Sequence, residues 1–479
     1  MTNEPRQTRR SDDRSDVAWE IAEHVVRATY ADLGDADINA TRGIVLDTLA
    51  TLVGGSAEPP FADLVEFYVN EGGRGEASVM VHGARLPARN AVTLNSAMAR
   101  ALDLDDAHEQ AIVHTGVHVV PAALAIAERQ GGISGKDLMV AIALGQDLMI
   151  RLSLACETPP ILRGRPGTYV FGTFATAVVT AKLLRLGVEG VVDALGNAFT
   201  RSAGTTLGYH DGALAQRLLQ GLSASDGVLA GLLAERGIGG IRNCFEGDAG
   251  YFALHEGGRF DRAALTSDLG REFHGTATAL KLYPVHRGAI LDIEAALAAA
   301  TDPTFDVSQI VRVVMRYPAR FESGHRHIGA FASERADPKG PVEPHFSNTW
   351  AVGVALAQGF ATVDDFTEAG VDRLRARVVP IARTVVGVPE QTLDRECIGL
   401  GPRVIDVELR NGTVITRRVD HASGGPDNPL RWAQIVQKLH DCATRAASPL
   451  GGPVIDRVVA MIAALEDIDD AARIPSALA

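Results

Sequence analysis

A chain of 479 residues exceeds what one ordinary hydrophobic core organises, so two domains are expected. With 46% hydrophobic and 22% charged residues it has the composition of a soluble globular protein, and no apolar run is long enough to span a bilayer. A net charge of −13 with no basic stripe excludes nucleic acid as a partner but leaves an anionic substrate open, because a few local cations can hold a carboxylate inside an acidic protein.

Residues 1–16, MTNEPRQTRRSDDRSD, are polar, lack an apolar core region and read as a disordered tail rather than a secretory signal. From about Val17 to about Gly240 the pattern is helical almost throughout. Within it, ALDLDDAHEQAIVHTG gathers Asp103, Asp105, Asp106, His108 and His114 between Ala101 and Gly116. A helix cap with a solvated face explains such a run, and so does a site that moves protons. His114 and His118 have the spacing of two zinc ligands on a helix, but the intervening TGV offers no acidic partner, and no metal is expected.

GKDLMVAIALGQDLMIRLSLA reads as a buried helix capped by Ser134, with Asp137 in a capping-box position. GTFATAVVTAKLLRLG is a small-residue helix that should end on Gly187 as its C′ glycine. VEGVVDALGNAFTRSAG and SASDGVLAGLLAERG are further helices.

Near Tyr251 the texture changes. TATALKLYP reads as an extended entry, and Pro284 suits the first turn of the helix VHRGAILDIEAALAAA. QIVRVVMRY alternates as a half-buried strand, and further on His325 and His327 form an HxH pair that on a strand would share a face but is more often simply solvated. SNTWAVGVALAQG is helical. Asn411-Gly412 between two alternating runs predicts a hairpin with a type I′ turn. LRWAQIVQKLHDCATRA and VIDRVVAMIAALEDI return to helical periodicity. The expected fold is mainly α: an all-helical domain from residues 17–270 and 425–479, with a smaller α+β lid domain, 271–424, inserted in it. The cleft between them is the default binding site. Cys156, Cys244, Cys397 and Cys442 are far apart and form no CxxC, which fits a reducing cytoplasm.

Seven segments in order resemble the MmgE/PrpD superfamily of 2-methylcitrate dehydratases, cis-aconitate decarboxylases and iminodisuccinate epimerases. They are LDLDDAH (102–108), HTG (114–116) with the VPAALAIAE that follows, GTFATAVVTAKLLRLG (172–187), GVLAGLLAERGIGG (227–240), LKLYPVHRG (280–288), FSNTWAVGVALAQG (346–359) and HASGGPDNPL (421–430). The resemblance implies a helical domain with an α+β lid, a homodimer, small di- or tricarboxylate substrates, and no metal or organic cofactor.

It also implies roles. Asp103 matches the first aspartate of the DxDD motif, and His114 the histidine of an HPG-like turn in which Thr115 replaces proline. Lys281 matches the lysine of K-x-[YF]-P and would grip a carboxylate or donate a proton. His286 and Arg287 follow it. His108 joins Asp103 and His114 as a candidate proton carrier. Ser347 and Trp350 match an FSLPY-like segment. Two positions depart from the pattern: Pro166 stands where members carry a histidine, and Gln216, beside Arg217, where they carry a lysine. His210 or Tyr169 is the candidate substitute.

The sequence is therefore read as a cofactor-independent cytoplasmic lyase of dehydratase type. Asp103, His114 and Lys281 would be catalytic, and His108, His286, Arg287, Gln216 and Tyr169 would bind substrate. An epimerase or decarboxylase of the same family and a non-catalytic carboxylate-binding paralogue are the alternatives.

Overall fold

A computed structural model describes residues 13–208, 213–397 and 399–479. The candidate His210 lies outside them. The described chain is mainly helical and builds two hydrophobic cores.

The first core is formed by α1 (Val17–Arg27), α2 (Asp35–Gly55), α3 (Phe61–Glu71), α4 (Ala88–Arg100), α5 (Gly116–Gln130), α6 (Gly135–Leu154), α7 (Gly167–Leu183), α8 (Val188–Phe199) and α9 (Ala215–Glu235). Small residues set the closeness of this packing. A Cβ at Gly227 of α9 would overlap the Thr173 carbonyl and Thr176 Oγ1 of α7, and one at Gly221 would overlap the Thr93 carbonyl of α4. Ser134 caps α6 as read, its Oγ accepting from the Asp137 amide at 3.1 Å. The end of α7 differs from expectation. Arg185 takes the left-handed conformation (φ 55°), its amide bonding the Lys182 carbonyl and the Leu186 amide the Ala181 carbonyl. This is a Schellman closure on a non-glycine residue. Gly187, at φ −74°, instead precedes α8 as its N-cap.

The chain then forms the short helices α10 (Tyr251–Glu256) and α11 (Arg262–Thr266) and leaves the first core for the second. There α12 (Arg287–Ala300), α13 (Glu322–Ile328), α14 (Asn348–Gln358) and α15 (Glu368–Ala382) accompany a four-stranded sheet. Numbering strands along the chain, β1 (Ala77–Val79) and β2 (Ala84–Leu86) form a small hairpin before α4, and β3 (Ala107–His108) pairs antiparallel with β4 (Thr278–Ala279). The sheet proper comprises β5 (Ile310–Pro318), β6 (Val385–Glu390), β7 (Arg403–Leu409) and β8 (Val414–Val419), in the order β6-β5-β7-β8 with only β5 and β6 parallel. Alternate residues of β5 and β7, among them Val313, Met315, Ile405 and Val407, are buried against Ile290 of α12 and Val354 of α14.

Three local readings are corrected here. Pro284 precedes α12, which starts at Arg287 after His286 as N-cap. His325 lies on α13, a helix, not on a strand. The β7–β8 connection keeps φ positive at Gly412 alone (87°), with the Gly412 amide on the Leu409 carbonyl, so it is a three-residue loop rather than a type I′ turn, which needs positive φ at both central residues. Between β6 and β7 the short α16 (Gln391–Asp394) packs against β5, and after the hairpin the chain returns to the first core through α17 (Trp432–Ala443), α18 (Gly452–Ala463) and α19 (Arg473–Ala477). Ile435, Leu439, Ile455 and Val458 pack there with the N-terminal helices.

Candidate active site

The acidic stretch starts where α4 stops. The Asp103 amide bonds the Arg100 carbonyl at 3.1 Å, and Asp103 itself sits at φ 50°, a conformation that non-glycine residues adopt at a cost and that clusters at functional sites. The β3–β4 pairing, Ala107 opposite Ala279 and His108 opposite Thr278, brings the lysine segment alongside. The Leu280 amide donates to the Gly424 carbonyl at 3.0 Å, fixing the next residue. Lys281 therefore meets the acidic turn directly, not across an open pocket. Its Nζ donates to the Asp103 carbonyl at 2.7 Å, lies 3.3 Å from Asp103 Oδ2 and 3.9 Å from Asp105 Oδ1, and is fully buried. Arg100 Nη1 pairs with Asp103 Oδ1 and, at 2.9 Å, with Asp105 Oδ1.

Burial pushes the Lys281 amine down to about 7, with the charges of Arg100 and Lys438 adding and Asp105 opposing. For Asp105 burial acts upward, but Arg100, then His114 and Lys281, outweigh it and hold the carboxyl well below its usual range. His114 Nδ1 lies 3.0 Å from Asp105 Oδ2 and 2.5 Å from the Asp106 carbonyl, and burial, then Arg100, brings the ring down to about 4. Asp106 closes the turn onto α5: its Oδ2 accepts from the Thr115 amide (2.7 Å) and hydroxyl (2.9 Å), and its Oδ1 from the Gly116 amide (3.0 Å). Gly116 is required by this approach, since a Cβ there would lie 2.9 Å from Asp106 Oδ1 and 2.5 Å from Thr48 Oγ1.

A cavity of about 30 Å³ opens beside this turn, lined by Arg100, Asp103, Gln216, Arg217, Gln220 and His345, with Val342 and Phe346 as its apolar side. Its walls come from α4 and α9 of the first core and from the segment 342–346 that leads into α14. Arg217 Nη1 donates to Glu58 Oε2 (3.2 Å) and the Pro59 carbonyl (2.9 Å), and Nη2 to the Pro341 carbonyl (2.8 Å), while its buried Nε has no partner. Gln216 Nε2 donates to the Tyr169 hydroxyl. With its amide turned to suit its neighbours, Gln220 accepts from Arg100 Nε (3.2 Å) and Tyr169 Oη (3.3 Å). His345 is 2% exposed, with Nδ1 2.6 Å from the Pro284 carbonyl and Nε2 buried without a partner.

Residues 19–263 match the MmgE/PrpD N-terminal domain and residues 283–451 the MmgE/PrpD C-terminal domain. The chain belongs to the MmgE/PrpD family. It is 25% identical over 480 residues to a cis-aconitate decarboxylase of Aspergillus terreus, covering 97% of this chain and 96% of that protein. It is 28% identical over 295 residues to the cis-aconitate decarboxylase-like protein oryM of Aspergillus oryzae, covering 58% of this chain and 60% of that one.

In this MmgE/PrpD member the remaining candidates separate. Arg287 is committed elsewhere: Nε donates to Glu109 Oε1 at 2.8 Å, Nη1 to the Ser423 carbonyl at 2.5 Å and Nη2 to the Ala422 carbonyl at 3.4 Å. His286 Nε2 engages Asn348 Oδ1 at 2.6 Å, and Asn348 in turn donates to Asp292, the partner of Arg403. Burial holds this ring down to about 4. His108 turns back on its own loop, Nδ1 accepting from the Ala111 amide at 3.1 Å. His118 packs its ring over Gly172, and among the described residues no three His, Cys, Asp or Glu side chains are placed to hold a metal. Ser347 caps α14, its Oγ accepting from the Trp350 amide at 3.0 Å, and the Trp350 indole donates to the Asp365 carbonyl, so both are structural. Pro166 is the N-cap of α7. Sequence reasoning missed Arg100, Gln220 and His345. The spacing of Gln216 and Gln220, one turn apart on a helix otherwise rich in small residues, was the available signal for part of that wall.

Proposed function

We propose that this protein is a lyase for small di- or tricarboxylates or related hydroxy acids, acting by proton transfer at a carbon next to a carboxylate. The observation that carries this reading is the meeting, at one small cavity, of two guanidinium groups and an aspartate whose far side is bound to an amine poised near neutrality. Arg217 Nε and the Arg100 charge hold a substrate carboxylate and stabilise the negative charge that builds when the neighbouring carbon loses its proton. The Asp103–Lys281 pair carries a proton, with Asp103 as the member that lines the cavity. His114 orients Asp105, which keeps the pair in register. In dehydration, the pair's proton leaves with the substrate hydroxyl as water, the electrons of the broken carbon–hydrogen bond form the alkene, and the proton taken from carbon restores the pair.

The cavity is far below the roughly 300–1,000 Å³ of ordinary ligand sites. Admission of a polycarboxylate requires the Val342–Phe346 segment to withdraw, which makes the second core a lid in this reading. Likeness over nearly the full chain to a cis-aconitate decarboxylase favours a second reading, in which the same groups deliver a proton to the carbon that loses carbon dioxide.

The test is incubation in deuterated water with a panel of di- and tricarboxylates and hydroxy acids, followed by proton NMR and carbon dioxide detection. An alkene formed with loss of water supports dehydration, and carbon dioxide with deuterium at the former carboxyl-bearing carbon supports decarboxylation. Exchange with stereochemical scrambling alone points to an epimerase. Binding without exchange of any panel member defeats the lyase reading.

A further inference from the structure

We infer that His345, which lines the same cavity as Asp103, is the group that takes the substrate's proton. The inference rests on the lyase reading above and adds to it the base that the acidic turn does not supply.

The residue is built into the site from three sides. Its ring lines the cavity with Arg100, Asp103 and Arg217. Its backbone carbonyl accepts from the His286 amide at 2.9 Å, which ties it to the segment that carries Lys281. Its Nδ1 lies 2.6 Å from the Pro284 carbonyl, an acceptor only, so Nδ1 bears the proton of the neutral ring. Nε2 is then a lone pair, buried and without a partner. An unsatisfied buried acceptor costs stability, and such a cost is kept where a ligand removes it. His286 Nε2 is engaged on Asn348 and His114 Nδ1 on the acidic turn, while His108 and His118, whose Nε2 atoms are also buried without a partner, do not line the cavity.

The electrostatics agree with the role. Burial, then Arg217, holds the ring down to about 3, so it stands deprotonated and ready to accept. A di- or tricarboxylate arriving between Arg217 and Arg100 offsets those charges and raises the basicity of Nε2 when it is needed. In the step, Nε2 forms a bond to the hydrogen on the carbon next to a carboxylate. The carbon–hydrogen electron pair becomes the carbon–carbon double bond. The neighbouring hydroxyl leaves as water with the proton of the Asp103–Lys281 pair, and the imidazolium returns its proton to that pair. The net change is the loss of one water.

The test compares the full-length protein with His345→Asn and His345→Gln. The Asn amide can keep the bond to the Pro284 carbonyl, and the Gln amide can reach toward the cavity, but neither accepts a proton. Both variants should lose about 10²–10⁴-fold in kcat and in deuterium wash-in. Their affinity for tricarballylate, a tricarboxylate without a hydroxyl, should stay within about threefold by calorimetry. Turnover that survives in either variant, or turnover and tricarballylate affinity lost in proportion, overturns the inference while leaving the lyase reading standing. A wild-type protein inert toward the whole panel overturns both. Should the variants unfold, ring ¹⁵N spectra of the wild type decide: tricarballylate must move the His345 Nε2 signal toward the protonated form, and an unmoved signal counts against the assignment.

Discussion

Each core of this protein buries an arginine against aspartate, yet the two networks end differently. In the second core Arg403 and Asp292 are both fully buried and 3.0 Å apart, with Asn348 bridging Asp292 to His286 and the Leu400 carbonyl taking a further Arg403 donor at 2.7 Å. One positive and one negative group meet, and neutral partners absorb what remains. At the acidic turn Asp103 and Asp105 share Arg100 and Lys281 while Asp106 stands next to them, and the amine is driven down to about 7 beside an open cavity. A closed network of matched charge joins elements of a fold, although its net worth is often small. A crowded one that borders free space carries protons that can move.

The sharpest break between the two networks is in turnover. Asp103→Asn should lower kcat by about 10²–10⁴-fold, the contribution of a positioned proton carrier, while the folded fraction at 25 °C is unchanged by circular dichroism. Arg403→Met should do the reverse. It leaves Asp292 as a buried charge without its partner and should cost about 3–5 kcal/mol in urea unfolding, with kcat per folded molecule kept within severalfold. If Arg403→Met silences the folded enzyme as thoroughly as Asp103→Asn, the division into joint and site is mistaken.

Lys281 gives the comparison a pH signature with two opposed slopes. The folded protein releases this proton near 7 and the unfolded chain near its ordinary 10.5, so between those values unfolding takes up a proton. The group's contribution to stability therefore rises with pH across that window, and Lys281→Met should remove that part of the slope in denaturant titrations from pH 7 to 10. Over the same range kcat/KM should fall, by up to tenfold per unit, because the donor has lost its proton. A rate that climbs with stability above pH 7 would assign the amine no part in proton donation.

The chemistry within single segments was legible. Asp103 and Lys281 stand in DLDD and KLYP, segments that the family resemblance marks, and the β3–β4 pairing explains why stretches 178 residues apart become one ion pair. The mainly α architecture followed from helical periodicity, and the Ser134 cap from its position before an apolar run. What stayed hidden depends on contacts between segments. Arg100 reads as an ordinary last-turn cation of α4 until Asp103 and Asp105 fold back on it. His345 is a lone histidine in a loop until Pro284 fixes its tautomer and Arg217 arrives from another core. Backbone geometry was misread where tertiary packing chose the turn, at Arg185 and at the Gly412 loop.

Arg287 tests the smallest of these distinctions. Its place three residues beyond the proline of KLYP suggests a substrate-binding cation, but the guanidinium bridges Glu109 on the acidic loop to the Ala422 and Ser423 carbonyls of the return segment. It acts as a strap between the regions that carry the cavity walls. Arg287→Met should therefore cost about 1–3 kcal/mol of stability, since two carbonyls and a largely buried carboxylate lose a charged donor. KM should rise by no more than about threefold, because no atom of Arg287 lines the cavity. A rise of tenfold or more with stability unchanged would restore the residue to the substrate and redraw the mouth of the site around α12. The opposite result, a stability loss that is reproduced by Glu109→Gln and does not grow in the double variant, would establish the strap as a single coupled contact.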